Sequence, residues 1–303
     1  MHEIFFDFHG RLRSGWRFTV FLFSFFLLSL PAQILTIAVV GRQEQKTMLL
    51  VVASSAVSSA ISIGLGWIYG KAFENVPIKA LGILPTKGWM RHFCFGCLLG
   101  FLTLTTAVLI SFAFGGLRLE SNQNLQLQMF WTNTILFGVF FVAALSEETL
   151  FRGYMLQTFC RSNLAWFGIL SSSVLFASAH NMNPNASWLS FLNTFIAGIW
   201  LCIAYLKTRN LWFPLGIHIS WNWFQGCFFG INVSGFDEFS ANSIFKVIEK
   251  GNPLIGGGDY GIEGGIACTA SLIISTFAVH FLPTPKADEE LLKFSTEKYV
   301  VSD

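Results

Sequence analysis

Residues 129–159 read MFWTNTILFGVFFVAALSEETLFRGYMLQTF, a run with only three formal charges: Glu147, Glu148 and Arg152. A helix needs roughly 20 apolar residues to cross a hydrocarbon core of about 30 Å, and in that medium only helices and closed barrels satisfy their own backbone groups. Continuous apolar character without alternation reads as helix, not strand. An ionisable side chain inside such a helix costs a few kcal/mol even on the lenient insertion scale, so each one needs a reason. Glu148 and Arg152 stand four residues apart and share a face, with the acid N-terminal to the base, the better order for a pair. A buried carboxylate beside a guanidinium keeps its charge with much of the desolvation cost offset. Glu147 points about 100° away and has no such local partner. Two readings are open at this stage. The acids mark the water edge of a fourth helix, or one acid is structural and its neighbour chemical.

The rest of the chain is of the same kind. Its 303 residues are 53% hydrophobic and 12% charged, with 34 Phe and a mean hydropathy of +0.57. Soluble domains are about 25% charged. The composition excludes an ordinary cytosolic enzyme, a disordered chain and a nucleic-acid binder, and a net charge of +2 implies no strongly charged partner. Apolar stretches fall at 18–40, 48–69, 92–115, 129–159, 164–181, 186–206, 211–231 and 262–282. The expected fold class is therefore all-α, a polytopic membrane helix bundle of about eight transmembrane helices. The first stretch has a long basic flank (Arg11, Arg13, Arg17) and continues past Pro31, which fits an uncleaved helix better than a signal peptide. With the N-terminus in the cytoplasm, thirteen of the nineteen Lys and Arg fall inside, Lys298 among them, and five outside, including Arg42 and Lys46. The expectation is a multi-pass integral protein of the plasma (inner) membrane with both termini cytoplasmic. The six cysteines are expected to be free, buried thiols, since Cys94 and Cys97 have no second pair to complete a metal site.

Few other polar groups lie deep in the apolar runs. One is His180, in Phe176-Ala177-Ser178-Ala179-His180; another is His218, in His218-Ile219-Ser220-Trp221-Asn222, where His218 and Asn222 project together from one helix face. A lone histidine on an apolar face is more often a satisfied core residue than a functional one. Two histidines, a carboxylate pair and an Asn inside apolar helices form a set able to activate water and stabilise an oxyanion. A rise of 1.5 Å per residue puts Glu147 about 18 Å, Asn222 about 16 Å, His180 about 24 Å and His218 about 10 Å from the inner end. His92, His280 and Glu263 sit near span ends, where water or headgroups can reach them, and Glu263 either lines an outer vestibule or, as is commoner, marks an ordinary loop-to-helix junction. Tryptophans 16, 67, 131, 188 and 212 read as interfacial anchors.

Glu147-Glu148…Arg152, Phe176…His180 and His218…Asn222 fill, in order, the pattern E-E-x-x-x-R, F-x-x-x-H, H-x-x-x-N. In this the chain resembles the CPBP family, the CAAX proteases and bacteriocin-processing enzymes also called the Abi family, which includes the type II CAAX prenyl endopeptidases. The resemblance covers roughly residues 77–230 and implies an intramembrane endopeptidase, acting in CAAX-type C-terminal processing or in peptide or bacteriocin processing. By motif position Glu147 would activate the attacking water, His180 would hold or polarise it, and His218 and Asn222 would steady the oxyanion. Glu148 would be ordered by Arg152, and Phe176 would shape the pocket. The implied partners are membrane lipid and a peptide or lipidated-protein substrate, with no nucleic acid. Family members are often called metalloproteases, and Glu147, His180 and His218 are ligand types suited to a divalent metal such as Zn²⁺. No H-E-x-x-H helix is present, and a metal-free glutamate mechanism uses the same residues.

The resulting organisation is helices one and two in 1–76, a CPBP-like catalytic core in 77–231, a Gly-rich irregular loop or lid in 232–261, and the last helix with a charged tail in 262–303. Two other classes compete. A non-catalytic immunity or scaffold protein would tolerate loss of the motifs, all of which are present. A transporter would often show inverted repeats and paired broken helices, which the sequence lacks.

Overall fold

A computed structural model describes residues 2–7, 10–41, 47–124, 126–283 and 285–295. Arg42, Lys46 and Lys298, which enter the charge count above, and the tail beyond residue 295 lie outside the described residues. The chain is mostly helical. Eight apolar helices follow one another: α1 Ser14–Val40, α2 Thr47–Glu74, α3 Trp89–Ala113, α4 Leu127–Glu148, α5 Ala165–Ala179, α6 Trp188–Thr208, α7 Trp212–Trp223 and α8 Ile266–Phe281. α4 does not stop at Glu148; it widens into a π-helical turn, Thr149–Tyr154, and runs on as Met155–Cys160. Gly153 leaves helical geometry there, with ψ −125°. π-turns of this kind are frequent at functional sites.

Among the described residues, five helices are long and apolar enough to cross a membrane: Ser14–Val40, Met48–Glu74, Trp89–Ala113, Leu127–Cys160 and Trp188–Thr208. α5 and α8 are apolar but shorter. The 15 residues of α5 rise only about 22 Å. The expected eight crossings therefore meet five helices of full length. The difference arises because α5 stops at His180, α7 passes into a π-turn at Phe224–Phe228, and α8 starts four residues later than its apolar run. The outer face of α1 exposes Phe23, Leu27, Leu30 and Ile34, as a helix does when lipid is its neighbour. Trp16, Trp67, Trp131 and Trp188 are exposed. Cys94 is exposed and Cys97 half-buried, against the expectation of burial, while the other four free cysteines are buried.

The tightest helix pair is α3 on α7, which run side by side in the same direction. A Cβ on Gly96 would strike the Phe213 carbonyl, one on Gly100 the Ile217 carbonyl, and one on Gly216 the Phe93 carbonyl. Small residues let two backbones approach where lipid gives no hydrophobic drive for association. Ser220 Oγ then reaches across to donate to the Cys97 carbonyl at 2.7 Å.

Polar contacts collect at the two ends of the bundle. At one end Glu74 closes α2 between Arg17 of α1 and Arg161 after α4. Lys79 pairs with Glu290 at 2.8 Å, Thr86 bonds Asp288, and Asn210 donates to Thr86 at 3.2 Å. The beginning of the chain and the described part of its tail thus share an end. At the other end, 232–261 is not the irregular loop expected. Its strand β2, Phe245–Lys250, pairs antiparallel with β1, Leu117–Ser121, with a bulge between Arg118 and Leu119. Val233, Phe239 and Tyr260 from this segment are buried. The glycines that read as looseness instead turn the chain tightly: Gly257 and Gly261 have φ of 85° and 98°, conformations costly for residues with a Cβ.

Candidate active site

Three helices bring the motif residues together. α4 carries Glu147 and Glu148 in its last turn. α5 carries Phe176 and ends on His180, whose backbone N–H bonds the Ala177 carbonyl. α7, set by its glycine contact with α3, carries His218 and Asn222 one turn apart. Glu147, His180, His218 and Asn222 all line a single cavity of about 310 Å³.

The hydrogen bonds assign an orientation to each ring. His180 Nδ1 lies 2.8 Å from the Phe176 carbonyl. A carbonyl only accepts, so Nδ1 carries the proton and a neutral ring has its lone pair on Nε2. His218 Nδ1 lies 2.9 Å from Glu148 Oε1, and its Nε2 lies 3.7 Å from Glu147 Oε2. The two adjacent carboxylates therefore address opposite edges of one imidazole. Glu148 is fully buried and also pairs with Arg152 Nη1 at 3.1 Å. Arg152, equally buried, donates from Nη2 to the Gly198 carbonyl of α6 at 3.3 Å and stacks over Phe176 with its Cζ 4.4 Å from the ring centre. A carboxylate that bonds one nitrogen of a histidine fixes the tautomer and direction of the ring.

The two glutamates differ. Glu148 Oε1 is engaged by both Arg152 and His218, which holds a dehydrated charge in place. Glu147 is about a third exposed where Glu148 is fully buried, and among the described residues the buried Oε2 of each has no hydrogen-bond partner. A carboxylate that reaches a cavity wall beside an imidazole can accept a proton from water.

Other wall residues escaped the sequence reading. Trp200 is 2% exposed and its indole N–H has no partner. Glu263, for which a junction was the commoner of two readings, lies on the cavity wall. Its Oε2 accepts from the Ser234 N–H at 2.7 Å and from Gln225 Nε2 at 3.2 Å. Asn193 of α6 donates to the Glu263 carbonyl at 2.7 Å and ties the turn to the bundle. None of these stands in a spaced motif, and their only sequence signal was polarity inside or beside an apolar run. His92 is buried where headgroup access was expected. Among the described residues, no three His, Cys, Asp or Glu side chains are grouped to hold a metal ion. Nδ1 of His180 and of His218 is engaged by the Phe176 carbonyl and by Glu148, which leaves Nε2 as the nitrogen either ring could offer a ligand.

Residues 129–224 match the family model described as type II CAAX prenyl endopeptidase Rce1-like. The matched segment is about a third of the chain and contains all three motifs, and it supports the resemblance to the CPBP and CAAX protease family. A protein of Escherichia coli described as an uncharacterized 24.3 kDa protein is 37% identical over 87 residues. That alignment covers 28% of this chain and 39% of the Escherichia coli protein, so the two share well under half of either length. No solved structure matches.

Proposed function

We propose that this integral membrane protein is an endopeptidase that hydrolyses a peptide bond within the bilayer, with 77–231 as its catalytic core. Glu147 takes a proton from a water held by His180 Nε2, and the water oxygen attacks the scissile carbonyl carbon. The carbonyl π pair moves to oxygen. The resulting oxyanion accepts hydrogen bonds from His218 Nε2–H, in the imidazolium form, and from the Asn222 amide. Collapse breaks the C–N bond, and Glu147 returns its proton to the leaving amine. Glu148 holds His218 by Nδ1, Arg152 holds Glu148, and Phe176 carries Arg152 on its face.

The observation that carries this reading is the meeting of Glu147, His180, His218 and Asn222, drawn from three helices, on one cavity wall. A volume of about 310 Å³ accommodates a short extended segment and no folded domain. The substrate class is a membrane-associated peptide or a lipidated protein terminus, in keeping with the family match. We place both ends of the chain on the cytoplasmic side of the plasma membrane, with α5, α7 and α8 completing eight passes. The basic-residue distribution and the shared end of the bundle support this placement.

The test is cleavage of a quenched prenylated peptide and of a panel of membrane-protein segments by the purified protein in detergent. Wild type is expected to cut at least one of them, and E147Q, equally folded, is expected to cut it about 10²- to 10⁴-fold more slowly. Equal traces from the two would remove the protease reading in favour of a non-catalytic scaffold.

A further inference from the structure

A second cavity, of about 670 Å³, opens at the bundle end where α1 begins. Its inner wall holds a buried charge cluster with no part in the chemistry above. Glu74 accepts from Arg17 Nη1 at 2.8 Å and from Arg161 Nε and Nη2 at 2.9 and 2.8 Å. Both guanidiniums and the carboxylate are 5% exposed or less. Two cations share one anion, so the cluster carries one positive charge in excess. Arg17 also donates from Nη2 to Ser162 at 2.7 Å, yet its Nε has no partner among the described residues. A buried N–H left unpaired costs nearly its whole desolvation penalty, which favours an acceptor from outside the chain.

Two features of the rim have the same sign. Ser14 and Gly15 open α1, a helix of 27 residues whose first turn has neither a side-chain cap nor an acid, so its N–H groups and the positive end of its dipole face this wall uncompensated. Arg13, at the N-cap, is exposed on the rim. Asp7 also lines the cavity, and it is paired with Arg11 at 2.9 Å. Among the described lining residues, four arginines thus face two acids.

The remaining walls are mostly aromatic and aliphatic, with a few hydroxyl side chains such as Thr19 and Ser171. Trp16, Phe18, Phe159 and Phe167 line the cavity, and Trp16 and Phe167 are open to the bundle's outer surface. The N-terminal turn folds back to build this side: Phe5 stacks on Trp16 at 4.9 Å, and the Trp16 indole donates to the Ile4 carbonyl. A pocket with a cationic floor and an aromatic, lipid-facing flank fits a phosphate that carries acyl chains better than a free one.

We propose that this cavity binds the phosphate of an anionic membrane phospholipid, seated against Arg17, Arg13 and the start of α1 with its acyl chains along Trp16 and Phe167. The site is separate from the cavity of Glu147 and His218 and stands whether or not the protein cleaves peptides. The probe is phosphatidylglycerol added to delipidated protein in detergent, read by native mass spectrometry. Phosphatidylcholine and inorganic phosphate serve as comparison arms. Phosphatidylglycerol is expected to be retained well above phosphatidylcholine, and R13Q to weaken retention by about fivefold. R17K, which keeps the ion pair with Glu74 but has no Nε–H to donate, is expected to weaken it too. R13Q alters an exposed rim residue, so its result does not depend on the buried cluster folding. Equal retention of the two lipids, full competition by inorganic phosphate, or unchanged retention in both variants would overturn the proposal.

Discussion

The protein buries two charge clusters, and they are built in opposite ways. Around Glu148, the titratable imidazole of His218 aside, the carboxylates are in excess: two acids and one guanidinium, with that imidazole between the acids. Around Glu74 the guanidiniums are in excess: two arginines on one acid. The first lines a cavity deep among α4, α5, α6 and α7, and the second stands at a bundle end. An acid surplus in a confined cavity supplies a group that can accept a proton. A base surplus at the bundle end supplies a place for an anion. Burial alone thus says little about function; the sign left over after pairing, and where it faces, says more.

The sharpest way to break this contrast is to remove the surplus acid. E147Q keeps the shape and removes the base, and peptide cleavage is expected to fall about 10²- to 10⁴-fold with the helical circular dichroism spectrum unchanged. Removing a paired charge acts on stability instead. R152M strands Glu148 in the core, and E74Q strands two guanidiniums; each is expected to cost about 3–5 kcal/mol in denaturant-dependent unfolding. The clusters should part company when a partner is also neutralised. E148Q/R152M is expected to regain much of the stability of R152M without regaining cleavage, because His218 has lost its carboxylate. Recovery of cleavage by that double variant would count against Glu148 as the group that positions the ring. N222A should lower kcat about 10²- to 10³-fold with KM little changed, as for a donor used only in the transition state. The smallest effect is expected from G96A, whose added methyl meets the Phe213 carbonyl. Its cost of about 1–3 kcal/mol in thermal unfolding tests whether the α3–α7 contact sets the height of His218.

The legible part of the site was the part encoded at short range. Glu148 and Arg152 stay paired although a π-turn begins between them, and the His218–Asn222 spacing puts both on one cavity wall. Counted along single helices the depths span about 14 Å, with His218 shallowest, because such a count leaves out the tilt and packing of a helix such as α7. Its twelve α-helical residues are instead placed by backbone contact with α3. The Gly-rich 232–261 segment misled for a related reason. Repeated glycines look like freedom in a sequence, but here they allow close turns that seat Tyr260 and Glu263 against α6.

Local periodicity and hydropathy by themselves determined that the chain is helical, that its helices are apolar enough for lipid, and which few side chains were too costly to be accidental. These follow from backbone geometry and solvation, which act residue by residue. Only the tertiary structure decided that Glu148 serves Arg152 and His218 at once, that Trp200 and Glu263 share the cavity, and that Arg17 and Arg161 meet on Glu74. The ion pairs and hydrogen bonds of Glu148 with His218 and of Glu74 with Arg17 and Arg161 join residues 57 to 87 positions apart, and they depend on how closely glycine-bearing helices approach, which no spacing along one helix encodes.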